Sequence, residues 1–194
     1  LLVAPRFGRA GPVFAVLCLI MTMALVYGGT AGSVSVSVYY NRWCWAVGFV
    51  VLAMVFLPRR GDGVWLGVLL GLLALTKVTF FVALAPLVAV AVLHDRDLRK
   101  AVAIGVAGLA IAAAATLVLG VGFWAAYLGD LRAVSASEVR PRPGMEFVGV
   151  MAAPSHLPGT LVMLALIVAL RRTGQMRAGL LLLILGMVMI PAPL

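Results

Sequence analysis

Acidic residues are scarce in this chain. Six Asp and Glu stand against fifteen Lys and Arg, and charged residues make up only 11% of 194 positions. Soluble domains run nearer a quarter charged, so there is too little polar sequence here to coat a domain facing water. No acid at all lies between Leu1 and Pro58, and Asn41 is the only asparagine. The two cysteines, Cys18 and Cys44, sit in or beside apolar runs and fit no metal-ligand spacing; they read as buried thiols. Internal repeats are absent. So is any basic surface interleaved with aromatics, which excludes nucleic acid as a partner in spite of a net charge of +9.

What is present is apolar. Hydrophobic residues account for 64% of the chain, and the mean hydropathy is +1.18. The arginines fall in short clusters between apolar runs, the pattern of loops held near anionic lipid. The expected fold is therefore all-α, a single polytopic membrane domain of about seven membrane segments, with membrane lipid as its surroundings. Its expected location is the cell's inner membrane, with the basic loops cytoplasmic. The chain begins at Leu1 rather than Met and ends within an apolar run at Leu194, so it reads as a piece of a longer protein.

The first apolar run covers Pro12–Gly28 and the second Trp43–Leu57. Fifteen helical residues reach only about 22 Å of a roughly 30 Å hydrocarbon core. The second helix is therefore expected to start earlier, near Ser35. The Ser-Val alternation from Ser33 to Val38 cannot be a lone strand in lipid, where its backbone groups would go unpaired; it reads as a helix start or an outside loop. The third run, Val64–Leu93, would make a single helix of about 45 Å with Lys77 buried near its middle.

Loop charge decides how that run is threaded. If it is a hairpin turning at Lys77, ten basic residues fall on one side, from Arg6 and Arg9 through Arg59, Arg60, Arg96, Arg99 and Lys100 to Arg171, Arg172 and Arg177. Five fall on the other: Arg42, Lys77, Arg132, Arg140 and Arg142. If it is one span, the split is seven against seven with Lys77 stranded. The positive-inside rule favours the hairpin, with helices Val64–Thr76 and Val78–Leu93. Tyr39, Tyr40, Trp43, Trp45, Phe123, Trp124 and Tyr127 then fall together at the outer interface.

Downstream, His94–Lys100 reads as a short polar loop. Ala101 to about Leu128, rich in Ala and Gly, reads as a helix central in the bundle. Residues 129–147 are expected to form an outside loop. Val148–Leu170 is apolar but broken from Pro154 to Gly159, Arg171–Arg177 returns to the cytoplasm, and Gly179–Met189 begins another span.

Lys77 is the leading candidate site. At a turn below the outer surface, irregular backbone must be buried or line a wet cavity, and a lysine there calls for an anion. The helix starting after it points N–H groups at the turn, which suits a phosphate. The competing reading is a lysine that snorkels to the interface. Arg42, two turns into its helix and next to Tyr40 and Asn41, could fork onto a phosphate or act as an interfacial anchor. Asp130, Glu138 and Glu146 are each a possible base or simply solvated loop charge. His156, between prolines, could be a ligand, an acid-base group or structural. Gly120-Val121-Gly122 with Ala125 formally matches a dinucleotide fingerprint but follows no strand, which rejects it. Gly67 and Gly71 mark close helix packing. No cofactor is called for, although a divalent metal would be compatible.

Gly67, Gly71, Thr76, Lys77 and Pro86, spaced through one apolar stretch, resemble a segment of bacterial polytopic GT-C-type glycosyltransferases. There a glycine-spaced short helix ends in Thr-Lys before a second short helix leading to a proline. The preceding run from Tyr40 to Ala46 is similar to a motif in membrane proteins of the alphaproteobacterial type that carry the same hairpin. The likeness extends over roughly residues 39–93. It implies a polyprenyl-phosphate-sugar donor used on the non-cytoplasmic face, with Lys77 and Arg42 as donor-phosphate binders. Members of that group carry an acidic catalytic residue in the first outside loop, and the acid-free stretch before Pro58 offers none. The catalytic base is thus unassigned. A transporter or flippase, with broken segments at Lys77 and Pro154–Pro158 lining a path, and a non-enzymatic membrane subunit are the alternatives.

Overall fold

The computed structural model describes residue 8, residues 36–136 and residues 157–189, and every described element is helical. Seven helices occur among the described residues: α1 (Val36–Phe56), α2 (Asp62–Thr76), α3 (Val78–Asp95), α4 (Leu98–Leu119), α5 (Gly122–Ala136), α6 (Leu157–Arg172) and α7 (Met176–Met189). Of these, α3 and α4 are long and apolar enough to cross a membrane; α2 and parts of α1 and α7 are shorter apolar helices. The first apolar run, Pro12–Gly28, lies outside the described residues.

Residues 33–35 lie outside the described residues; the second half of the Ser-Val alternation, residues 36–38, is helical and opens α1. Its 21 residues reach about 31 Å. The helix stops before Pro58, whose ring disfavours helical geometry in the preceding residue. Gly61, at φ +88°, makes the left-handed corner into α2. The Asp62 carboxylate accepts the Arg59 backbone N–H at 2.7 Å, closing that corner.

The long third run is broken at Lys77, as the charge count required. The residue is extended, at φ −154° and ψ 97°. Its N–H donates to Leu73 O at 2.8 Å and ends α2, while its carbonyl accepts from Phe80 N at 3.0 Å and starts α3. The Thr76 hydroxyl donates back to Leu72 O at 2.6 Å, the kind of local bond that competes with helix continuation. Contacts give the directions. Near the start of α1, the Cys44 thiol donates to Thr76 Oγ, at the end of α2, at 3.9 Å. Further along, Gly48 faces Leu84 of α3. At the end of α1, Val55 O accepts from Arg177, which is paired with Asp95 at the end of α3. Hence α1 and α3 run parallel, α2 runs against both, and residues 62–95 form a hairpin.

The core lies where α1, α2, α3 and α7 meet, around Met54, Leu66, Leu73, Phe80, Leu84, Leu87 and Leu181, all at most 1% exposed. Helix α4 packs along α2 in parallel. Their seam is a ladder of glycines four apart: Gly63 against Lys100 and Ala103, Gly67 against Ile104 and Ala107, Gly71 against Ile111. A Cβ at Gly67 would stand 2.3 Å from Ile104 O, so only glycine allows this approach. The expectation of close packing at Gly67 and Gly71 therefore holds and extends to Gly63.

Several boundaries differ from expectation. The expected polar loop over residues 94–100 narrows to Arg96 and Asp97 between α3 and α4. The last part of the expected break over residues 154–159 is already the first turn of α6, where Pro158 lacks only an N–H that has no partner in a first turn. The Ala- and Gly-rich segment is not one helix: Gly120, at φ +81°, ends α4 and α5 begins at Gly122. Nor is α4 central among the described residues, since only its Ala107 is buried, while Val102, Val106, Leu109, Leu117 and Val118 are exposed. Small residues here serve one tight seam instead of packing on all sides. Helix α5 continues to Ala136, so the first eight positions of residues 129–147 are helical and the remainder lies outside the described residues. Finally, α7 begins at Met176, which makes Arg177 a first-turn helical residue and not a loop residue. The turn before it is closed by Gly174, at φ +77°, and by Gln175 N donating to Leu170 O at 2.8 Å.

Candidate functional site

The helix directions sort the charges into two ends. Arg59 and Arg60, Arg96, Arg99 and Lys100, and Arg171, Arg172 and Arg177 belong to the corners at one end, where α1 meets α2, α3 meets α4 and α6 meets α7. Lys77 lies at the other. From the basic end, α2 rises about 22 Å and α3 about 27 Å to reach Lys77, less than the roughly 30 Å thickness of a hydrocarbon core.

Lys77 is partly exposed. Its Nζ stands 5.4 Å from the centre of the Phe80 ring, a distance at which a cation is attracted by the ring face. Phe80 is fully buried and meets the Trp45 ring edge-on at 5.2 Å; Trp45 in turn stands 6.0 Å from Phe49. The ammonium is thus steered to the α1 side of the hairpin. The following helix has no side-chain cap at its first turn.

Residues 40–42 lie in the second turn of α1, just before Cys44, whose thiol meets Thr76. The backbone of Tyr40, Asn41 and Arg42 therefore sits at the Lys77 end; their side chains are not among those described. Glu138, Glu146 and His156 fall outside the described residues. Of the acids that are described, Asp62, Asp95 and Asp97 belong to the basic end, and Asp130 lies on α5, exposed, within one turn of Tyr127. No group of three His, Cys, Asp or Glu that could hold a metal occurs among the described residues.

Both expected aromatic groups collect near Lys77. Trp124 Nε1 donates to Thr116 Oγ at 2.8 Å, and Tyr127 Oη donates to Ala74 O, three residues before Lys77. Phe123 stacks on Tyr127, with centroids 5.8 Å apart. These bonds fold α5 over the ends of α2 and α4. Beneath it runs an apolar cleft of about 340 Å³ along the glycine seam, bounded by Gly67, Gly71, Ala74, Gly108, Trp124 and Tyr127. Sequence reading missed this cleft. Its signal was the four-residue spacing of Gly63, Gly67 and Gly71, which marks a close approach without naming the partner helix.

The model of glycosyltransferase family 87 matches residues 1–193 of the chain. No curated protein matches it, and no solved structure matches it.

Proposed function

The chain belongs to glycosyltransferase family 87, a GT-C-type family, and from that premise we propose that it is a multi-pass enzyme of the cell's inner membrane that moves a sugar from a polyprenyl-phosphate carrier to an acceptor on the non-cytoplasmic face. The observation that carries this reading is the helix break at Lys77: a cation at an extended residue, followed by an uncapped helix start. The cleft beside Ala74 is lined almost wholly by apolar side chains, which suits the hydrocarbon of a lipid carrier. Two apolar helices of spanning length and the exposed apolar face of α4 favour a bilayer around it.

In this reading Lys77, with Arg42 from the second turn of α1, holds the donor phosphate. A base removes the proton from an acceptor hydroxyl as its oxygen attacks the anomeric carbon. The bond from that carbon to the phosphate oxygen breaks, and the electron pair leaves with the polyprenyl phosphate. The leaving group gains negative charge, which the cations steady more strongly in a dry site than in water. Tyr40, Asn41 and His156 are secondary participants in binding. Asp130, on α5, is the described acid on the Lys77 side, and an outside loop over residues 129–147 would add Glu138 and Glu146 as candidate bases.

The test is donor binding and sugar transfer by the full-length protein carrying Lys77→Ala or Lys77→Arg. Lys77→Ala is expected to weaken binding of the polyprenyl-phosphate-sugar at least about tenfold, the scale of one charge-assisted bond, and Lys77→Arg to retain most of it. Unchanged binding by Lys77→Ala would remove the phosphate role.

A further inference from the structure

The opposite end of the molecule holds a second hollow, which the transfer reaction does not use. It encloses about 650 Å³ between the α1–α2 corner and the first turn of α4. Arg59, Arg60, Arg99 and Lys100 line it together with Asp62 and Asp97. Four cations against two carboxylates leave two positive charges in excess. Both acids also serve the backbone: Asp62 accepts from Arg59 N at 2.7 Å and Asp97 from Lys100 N at 3.0 Å. They hold the corner and the start of α4 in shape, and so fix the spacing of the cations around the hollow.

Two segments that are distant in sequence, residues 59–64 and 97–103, build this cluster. The glycine seam sets them side by side, because Gly63 lies against Lys100 and Ala103. Val64, about half exposed, lines the hollow, and Trp65, Leu98 and Val102 are exposed in the same first two turns of α2 and α4. Cationic groups next to exposed apolar groups and a tryptophan form the arrangement expected at the headgroup level of a bilayer.

We propose that this hollow is a phosphate-binding site that takes the headgroup of an anionic membrane lipid, its acyl chains leaving past Val64. Guanidinium groups of Arg60 and Arg99 fork onto phosphate oxygens, and Lys100 adds a point charge. The site rests on a membrane location for the chain and is independent of the donor site at Lys77.

Native mass spectrometry of the full chain in an uncharged detergent, titrated with phosphatidylglycerol or with phosphatidylcholine, tests it. Phosphatidylglycerol is expected to be retained at low stoichiometry, about tenfold more tightly than phosphatidylcholine. The double variant Arg60→Gln with Arg99→Gln is expected to lose that preference while keeping its helical circular dichroism. Asp97→Ser keeps a capping side chain and removes a negative charge, so it is expected to bind phosphatidylglycerol a few-fold more tightly. A further arm adds sodium phosphate at constant ionic strength. Retention of the lipid assigns the site to headgroups; displacement assigns it to a free phosphate group and overturns the lipid assignment. Equal affinity for the two lipids, or unchanged phosphatidylglycerol binding in the arginine double variant, overturns the site. Lys77→Ala is expected to leave lipid retention unchanged, so failure here and failure of the donor reading are separate results.

Discussion

The two ends of the bundle use charge in opposite ways. At the basic end, charged side chains are tied into the scaffold. Arg177 donates through Nε and Nη2 to both oxygens of Asp95, at 2.6 and 2.8 Å, and through Nη1 to Val55 O at 2.9 Å. One guanidinium thereby joins the ends of α1 and α3 to the start of α7 and satisfies a carbonyl that α1 leaves open. Asp62 and Asp97 close the neighbouring corners. At the Lys77 end the helices are interrupted, aromatic rings gather, and a lysine sits between two helix ends. At the first end Arg177, Asp62 and Asp97 maintain geometry, whereas at the second end the lysine stands at a helix break beside aromatic rings.

That contrast can be broken by substitution. The largest expected effect on function is at Lys77, where alanine removes donor binding while thermal unfolding in detergent stays within a few degrees of the parent. A matching loss of melting temperature would make Lys77 a scaffold residue and erase the difference between the ends. The largest expected effect on stability is at the seam. Gly67→Val forces α2 away from Ile104, and overpacking of this kind costs about 1–3 kcal/mol, toward the upper limit here because the obstacle is backbone. A cross-link between α2 and α4 that forms equally well in the variant would contradict it. Arg177→Ala should lower stability by about 1–2 kcal/mol, the scale of lost hydrogen bonds to a charged group discounted for partial exposure. Transfer activity per folded molecule should be unchanged, and a loss of activity at temperatures well below unfolding would assign Arg177 to the site. The smallest effect is Asp97→Ala, which removes an N-cap worth about 1 kcal/mol; Asp97→Ser should restore it. Placing a single cysteine at position 97 also tests sidedness. A membrane-impermeant thiol reagent applied to intact cells should leave it unmodified, and labelling from outside would invert the proposed orientation.

The hairpin was legible because charge is sparse. With so few loops carrying lysine and arginine, one wrong pass would have evened the distribution, and Lys77 could be recognised as a turn from its position in an overlong run. Its neighbourhood was legible too, since Trp45 and Tyr127 belong to the aromatic groups expected at that end. The pairing of α2 with α4 was not. Gly63, Gly67 and Gly71 announce a close approach, but many helices here are rich in Ala and Gly, and spacing alone cannot choose among them. The link of Arg177 to Asp95 and Val55 was also hidden, spanning 82 and 122 positions. A first-turn arginine beside a polar turn reads as one more loop charge.

The amino-acid sequence by itself determined the helical class, the break at Lys77 and the gathering of basic corners at one end. Backbone groups must be satisfied within each apolar segment, and arginine and lysine are costly to leave within one. Tertiary structure alone decided which face of each helix turns inward. In an apolar chain, lipid-facing and core-facing positions are equally hydrophobic, so periodicity does not separate them. The choice falls to side-chain size and to a few long-range hydrogen bonds, which place α4 on the glycine ladder of α2 and lock α7 to the ends of α1 and α3.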